Sequence, residues 1–466
     1  MEAKVVIKCL KCDETLNSVR GLATHIQHRH KLTSEQYVVE CVHGGVAPCC
    51  LSKGCLHVPS FRNMEFRKYC SAHVKEAQRE AGYVTGLSNK VVVPQNSGLN
   101  GITTSYDPLT YGSSKHVIEW QGKPLTKGYV CQLTTEQRVE VVEGLFQWLR
   151  QNGFPFSRYS EQKIIKDYEL LVGIKDVFDC SVEGGRLNNK KLVGGLGVVH
   201  CQGEQFYSVC SGINKHDSMI ERFNDDNVLK KVLNNRLGIS YKECFNITGA
   251  MIRQGYSSSG NSYKPSVFNP LVAKSVWNLA KPNSVVLDYS MGFGHRMVGA
   301  LSLSDKNLTY VGIDPWHGVV SANKTLAGIL GETDRVKLYS TGIEVFEEPS
   351  LFGKCSMAFS SPPYESVEVY DNGSPSNASS LSKQEFYVWW DKAVKNIKRY
   401  LVPSDTTWFV VNSFEKNIDQ INQVVLENGF IEHHRCFIQT SVSHFTKKQN
   451  ITHKQEPVVF YKIGGL

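Results

Sequence analysis

Three short segments of this 466-residue chain bring together residue types that could carry out chemistry. The first is FSSPPYE, in which Ser361, Pro362, Pro363 and Tyr364 follow directly on an apolar run. Two prolines fix a rigid turn, and the carboxyl end of a strand is where open α/β sheets bind ligands. Such a turn presents the Ser361 hydroxyl and the Pro362 carbonyl as two acceptors and Tyr364 as an aromatic platform. The set suits a planar substrate with an exocyclic NH2. Hydrogen bonds to the amine aim its lone pair at an electrophile while the ring stacks on Tyr364. The second segment is VVLDYSMGFG, residues 285–294, with Asp288, Gly292 and Gly294 in D-x-x-x-G-x-G spacing before a helix that starts near His295. Its glycines let the backbone turn sharply and approach a ligand closely. The third is YVGIDP, where Asp314 ends the next strand 26 residues after Asp288, a position from which a carboxylate grasps a ribose diol.

A different chemistry is written at the N-terminus. Seven of the 14 cysteines lie in the first 73 residues, and no secretory signal precedes them, so they read as metal ligands rather than disulfides. Cys9-x2-Cys12-x12-His25-x4-His30 has Cys2His2 finger spacing: a two-residue gap places two thiolates on a knuckle, and a helix then presents both imidazoles to one Zn2+. Leu16, Val19 and Leu22 supply a small core, and His28 competes with His30 as the fourth ligand. Cys50, Cys55, Cys70 and His73 form a second, less diagnostic zinc set, for which Cys49, Cys41 or His43 are substitutes. The first 90 residues hold 13 Lys/Arg and 8 Asp/Glu, which puts +5 of the net +8 there. Arg20, Arg29, Arg62, Arg67 and Lys68 beside the ligands are suited to phosphate contacts, or form a solvated face on a protein-binding finger.

These groups need elements to position them. The chain divides into a finger at 1–35, a second zinc module at 36–80, a Gly/Ser/Asn/Pro-rich linker at 81–130, a mainly helical region at 131–260 and an α/β domain at 261–466. In the helical region Thr134 and Gln137 form a capping box before Val139, Val142, Leu145, Phe146 and Leu149. Ser160 opens a helix with Ile164, Ile165, Tyr168 and Leu171 on one face, and a third helix ends at Gly238. Ser284–Leu287, Leu308–Ile313, Ser356–Phe359 and Thr407–Val411 read as buried strands alternating with helices, hence βαβ units and a mostly parallel sheet. Glu344 falls near the end of a further strand, Trp389 and Trp390 read as helix core, and 371–382 reads as a polar lid over the site. With 41% hydrophobic residues, 21% charged residues and no apolar run of about 18, disorder and a membrane span are excluded. A cytoplasmic protein is expected, with no membrane association and no feature demanding an obligate protein partner.

The three segments together resemble motifs I, II and IV of the S-adenosylmethionine-dependent DNA amino-methyltransferases, in particular a bacterial and phage group of DNA methylases. Phe268-Asn269-Pro270 is similar to that family's motif X, and EPVVFYKI from Glu456 to its closing strand. The resemblance covers about residues 265–466 and implies a Rossmann-like class I methyltransferase domain. It implies that S-adenosylmethionine is bound by Phe268, Pro270, Asp288, Gly292, Gly294 and Asp314, and that Ser361, Pro362, Pro363 and Tyr364 are catalytic. The implied substrate is double-stranded DNA, with the target base extruded from the stack. Ser361 at the head of motif IV is closer to cytosine-N4 than to adenine-N6 enzymes. Absence of a recognition insert between motifs I and IV leaves target binding to the zinc modules and the helical region. An RNA base or a protein amide would meet the same acceptors, and a catalytically silent zinc-finger scaffold is the remaining alternative; intact Gly292, Gly294, Asp314 and SPPY oppose the last.

Overall fold

The computed structural model describes residues 7–12, 14–16, 22, 24–41, 61–62, 65–66, 117–188, 193–211, 216–243, 246–265, 267–363, 368–370, 377–415, 417–441 and 453–465. Its contacts separate two units, Met1–Asn96 and Ser97–Leu466.

In the first unit, strands Ile7–Lys8 and Thr15–Leu16 pair antiparallel and place Cys9 and Cys12 on the connecting turn. Helical residues through His30 follow. Thr33 then opens the helix Ser34–Cys41 with a capping box: its hydroxyl accepts from Gln36 N and its own N–H donates to Gln36 Oε1. Leu22, Ile26, Tyr37 and Val38 bury against Cys9.

The second unit carries an eight-stranded sheet. Its strands are β1 (Gly185–Asn188), β2 (Val285–Asp288), β3 (Thr309–Ile313), β4 (Val336–Tyr339), β5 (Cys355–Ser360), β6 (Trp408–Asn412), β7 (Phe430–Ser441) and β8 (His453–Ile463), in spatial order β4-β3-β2-β5-β6-β8-β7-β1. The block β4 to β6 is parallel, as the apolar runs predict; β8 runs antiparallel to both β6 and β7, and β1 is parallel to β7. Strand order reverses between β2 and β5, which opens a crevice at their carboxyl ends. The α/β Rossmann-like fold is therefore the observed one. Neighbouring strand residues point to opposite faces: Tyr310, Met357, Val410 and Phe460 enter one core, Val311, Ala358, Val411 and Tyr461 the other. A sheet covered on both faces explains why these strands are almost continuously apolar.

The longer helices of this unit are α1 (Thr135–Asn152), α2 (Glu161–Gly173), α3 (Leu196–Tyr207), α4 (Asp226–Glu243), α5 (Gly249–Ser259), α6 (Pro270–Trp277), α7 (His295–Leu301), α8 (His317–Ile329), α9 (Lys383–Tyr400) and α10 (Ile418–Glu427). The Thr134–Gln137 capping box forms as predicted, but Val139 is exposed and Val141 takes its place in the buried stripe. On α2, Ile164, Tyr168 and Leu171 are buried while Ile165 faces out. Helix α4 continues past Gly238 to Glu243.

The boundary at 260/261 does not survive folding. β1 extends the main sheet, and Ile164, Leu171 and Val198 share a core with Trp277, Met297 and Phe359. α1, α4, α5 and the end of α3, with Phe206 and Tyr207, build a further core, and Phe293 of the glycine turn packs against both it and the first. Part of the expected linker joins that core, since Ile118, Trp120, Leu125 and Val130 are fully buried in it. Cys131 is disulfide-bonded, whereas Cys180, Cys355 and Cys436 are free thiols buried in the apolar core. Among the described residues no helix is long and apolar enough to cross a membrane.

Candidate active site and metal centre

β2 delivers Asp288 to the sheet's carboxyl edge, and the turn that follows is built by glycine. Gly292 and Gly294 have φ of 53° and 99°, values that a side chain rarely adopts. A Cβ on Gly294 would overlap the Asn323 carboxamide, whereas one on Gly292 would meet nothing. Asn323, fully buried on α8, donates to Gly292 O at 3.0 Å. Gln202 on α3 holds Asn323 Oδ1 at 3.0 Å and also donates to Phe293 O. The turn is thus locked from behind by a helix of the middle region.

Asp314 faces the same crevice. One carboxylate oxygen accepts Gly292 N at 3.0 Å and the other Trp316 N at 2.9 Å. Burial raises this carboxyl to about 6, against the lowering effect of the two backbone N–H groups. Phe293, Trp316 and Tyr370 form an aromatic wall, with successive ring centroids 6.5 and 6.1 Å apart. Glu344 lines the crevice and accepts Trp389 Nε1 at 2.9 Å, so Trp389 belongs to the site's edge as well as the core; Trp390 is core alone.

Asp288 takes a role other than the one expected of it. It is fully buried beneath the turn, where Arg296 Nε and Nη2 reach its two oxygens at 2.9 and 3.2 Å and Tyr310 OH donates at 2.7 Å. Burial and the neighbouring Asp288 charge hold the Tyr310 phenol well above its usual range, so it remains a donor. Arg296 also bonds Ser290 O and Ser360 Oγ, tying the glycine turn to the end of β5. The carboxylate at the end of β2 is a structural anchor that Arg296 neutralises, and it does not line the crevice.

β5 ends at Ser360, which brings Ser361, Pro362 and Pro363 to the crevice opposite the glycine turn. Ser361 Oγ lies 2.9 Å from Asn412 Oδ1, and Asn412 Nδ2 lies 3.1 Å from Pro457 O. The Pro457 carbonyl can only accept, so the carboxamide of Asn412 must turn its NH2 there and its oxygen toward Ser361. Ser361 therefore spends its one proton on Asn412 and offers only lone pairs to the crevice. Phe268 lines the crevice, whereas Pro270 is buried at the first turn of α6. Tyr364 lies outside the described residues. Of the expected lid, 371–376 also lies outside them; Asn377 lines the crevice, and Ser382 is the N-cap of α9.

The crevice suits a nucleoside-bearing cofactor such as S-adenosylmethionine. Asp314 offers its remaining lone pairs to a diol, the aromatic wall offers a face to a purine, and Gly292 leaves room for close approach.

In the first unit, the ligand atoms of Cys9, Cys12, His25 and His30 all lie within 4.8 Å of one another. Cys9 Sγ is 3.4 Å from His30 Nε2, and Cys12 Sγ is 3.2 Å from His25 Nε2. Tetrahedral zinc with bonds of about 2.3 Å to sulfur and 2.0 Å to nitrogen brings such atoms to about 3.5 Å, so the set fits. Burial acts to raise the Cys9 thiol, but the Lys11 N–H and the Tyr37 hydroxyl outweigh it and bring it to about 6. His25 Nδ1 points at Glu14 at 3.4 Å, the outer contact that orients a metal-bound imidazole. His28 is exposed and outside the cluster. Cys50, Cys55, Cys70 and His73 lie outside the described residues.

No family model matches the sequence, and no curated protein matches it. Among solved structures the chain is similar to TrmN from Thermus thermophilus: 15% identity, 42% of this chain, 48% of that one, TM-score 0.31. It thus spans about half the length of that structure. It is also similar to a precorrin-6y C5,15-methyltransferase from Geobacter metallireducens (9% identity, 43% and 89% coverage, TM-score 0.29). A SAM-dependent methyltransferase from Aquifex aeolicus gives 13% identity, 42% and 90% coverage and TM-score 0.29. Likenesses this distant carry neither activity nor substrate to this chain.

Sequence reasoning missed Gln202, Asn323 and Asn412, the polar residues that hold the site in shape. A carboxamide at the end of an apolar strand, as in TWFVVN, was the one available signal.

Proposed function

We propose that this protein transfers a methyl group from S-adenosylmethionine to the exocyclic amino group of a base in DNA, cytosine N4 in preference to adenine N6. The observation that carries the reading is the polarity of Ser361. With its proton committed to Asn412, the site beside the glycine turn presents acceptors and selects a group that donates, as an amine does. When bound, the cofactor supplies an electrophilic methyl on sulfonium. Ser361 Oγ and the Pro362 carbonyl take the two amine protons in hydrogen bonds and draw the nitrogen lone pair out of conjugation with the ring. Asp314 and the aromatic wall fix the nucleoside end of the crevice, and orientation supplies most of the rate. Reaching an amino group inside a duplex demands that the base leave the stack. The preference for cytosine rests on the resemblance carried by Ser361.

The test is incubation of the full chain with unmethylated duplex DNA and labelled S-adenosylmethionine, followed by nucleoside mass analysis. An N4-methylcytosine peak that is lost with Ser361→Ala supports the reading. Cofactor binding without any label in DNA refutes it.

A further inference from the structure

Strands β7 and β8 outrun the rest of the sheet. Asn412, the last residue of β6, pairs with Val458, yet β8 also includes residues 453–457, which pair antiparallel with 437–441 of β7. At about 3.4 Å per residue, these five pairs make an arm of about 17 Å. The arm leaves from the carboxyl edge of the parallel strands, the edge that carries the glycine turn and Ser361. β1 braces its root, since Arg186 pairs with Phe437 and Asn188 with Gln439. The root also touches the site: Pro457 O accepts Asn412 Nδ2 at 3.1 Å, and Asn412 Oδ1 accepts the Ser361 hydroxyl at 2.9 Å.

The pleat assigns the two faces of the arm. Cys436, Ile438 and Val458 enter one core together with Leu187 of β1. Phe437, Gln439, Gln455 and Pro457 alternate with them and lie on the other face, and so does Arg186, paired with Phe437. On that face Arg186 and Gln455 are exposed and Gln439 is half-buried. Glu456 pairs with Ile438, which puts it on the core-side face. From Gln439 to Gln455 the sequence holds three lysines and no aspartate or glutamate. The arm is therefore a basic ribbon whose outer face presents a guanidinium and two carboxamides.

We infer that the β7–β8 arm lies against the duplex beside the extruded base, with Arg186 on a backbone phosphate and Gln439 and Gln455 on base edges in a groove. This rests on the nucleic-acid reading above and gives it a location, a ribbon rising next to Ser361. A two-stranded β-ribbon fits the major groove, where carboxamides both donate to and accept from base edges. The length of the arm matches about five stacked base pairs. A guanidinium at its root suits a phosphate, the contact that fixes register rather than sequence.

The test uses the full-length chain and a fluorescein-labelled 20-base-pair duplex, with binding followed by anisotropy between 50 and 300 mM KCl. Each contacted phosphate contributes about 0.9 to the slope of log K against log salt. Arg186→Gln is expected to lower that slope by about 1 and to weaken binding about five-fold at 100 mM KCl, and Arg186→Lys should keep the wild-type slope. Gln439→Ala combined with Gln455→Ala should weaken binding about ten-fold at an unchanged slope, because carboxamides carry no charge. Melting temperatures should not move, since these are surface positions. A second readout fixes the place: p-benzoylphenylalanine at position 455 should crosslink the duplex under ultraviolet light. At position 431, exposed at the opposite end of β7, it should not. Unchanged affinity and slope in the arm variants, or equal crosslinking from both positions, would overturn the inference. Methyl transfer is scored separately: a chain that binds duplex through the arm yet transfers nothing refutes the reaction and not the arm.

Discussion

Asp314 makes the sharpest quantitative case. Its carboxyl titrates at about 6 in the folded chain, above the ordinary 3.8, because burial disfavours the charge. A raised carboxyl means that the folded state holds the proton longer than the unfolded one, so stability declines as pH climbs from about 4 to 6. The cost at neutral pH is of order 2–3 kcal/mol. A diol that donates to the carboxylate binds only the ionised form. At pH 5 about one molecule in eleven is ionised, so affinity for S-adenosylhomocysteine should fall about ten-fold between pH 7 and pH 5. Asp314→Asn removes the charge but places an NH2 against one of the two backbone N–H donors, Gly292 or Trp316. Lost charge burial and one lost hydrogen bond of about 1–3 kcal/mol nearly cancel, so the variant's melting temperature at pH 7 should stay within a few degrees. Its affinity should drop about 10- to 100-fold and lose its pH dependence, since charge-assisted hydrogen bonds give about 1.5–3 kcal/mol each. Calorimetric titration at half-unit steps from pH 5 to 8 measures both. A wild-type affinity flat across that range, or a variant that keeps the same slope, refutes the reasoning.

Other outcomes follow from single contacts. Arg296→Met leaves the buried Asp288 carboxylate without its cation, held only by Tyr310 OH and the Ser290 N–H, and should destabilise the unit by about 3–5 kcal/mol in urea, while adding Asp288→Asn should recover much of the loss. Asn412→Val frees the Ser361 hydroxyl to donate and should lower kcat about ten-fold with unchanged cofactor affinity. In a Ser361→Ala background the same change should add almost nothing, a non-additivity that double-mutant kinetics detects. Cys12→Ala should remove one equivalent of zinc from the purified chain by metal analysis, whereas Glu14→Ala should keep the zinc and weaken it about ten-fold in chelator competition.

Some of this was legible in the residues and some was not. The glycine turn was, because D-x-x-x-G-x-G states a backbone demand that φ of 53° and 99° then satisfies. The Cys9, Cys12, His25, His30 set was equally legible, since ligand spacing along one short segment limits where the donors can go. The parallel strands were read to within a residue or so at each end because burial on both faces leaves an unbroken apolar run. Asp288 was misread in role: its motif position is the expected one, but nothing local announces that Arg296, eight residues on, folds back to neutralise it. The middle region was misread as separate because β1 is a short strand that pairs with β7 some 250 residues away.

The sequence by itself therefore determined which backbone turns form and which side chains share a short segment: the glycine turn, the prolines after Ser361, the Cys9–Cys12 knuckle and the alternating strands. These depend on local torsions and periodicity, which each residue carries with it. Tertiary structure decided the states of the polar groups. It sealed Asp288, raised Asp314 to about 6, and turned Ser361 into an acceptor through Asn412 and Pro457. Charge and hydrogen-bond polarity depend on what arrives from distant parts of the chain, and only the folded packing brings those parts together.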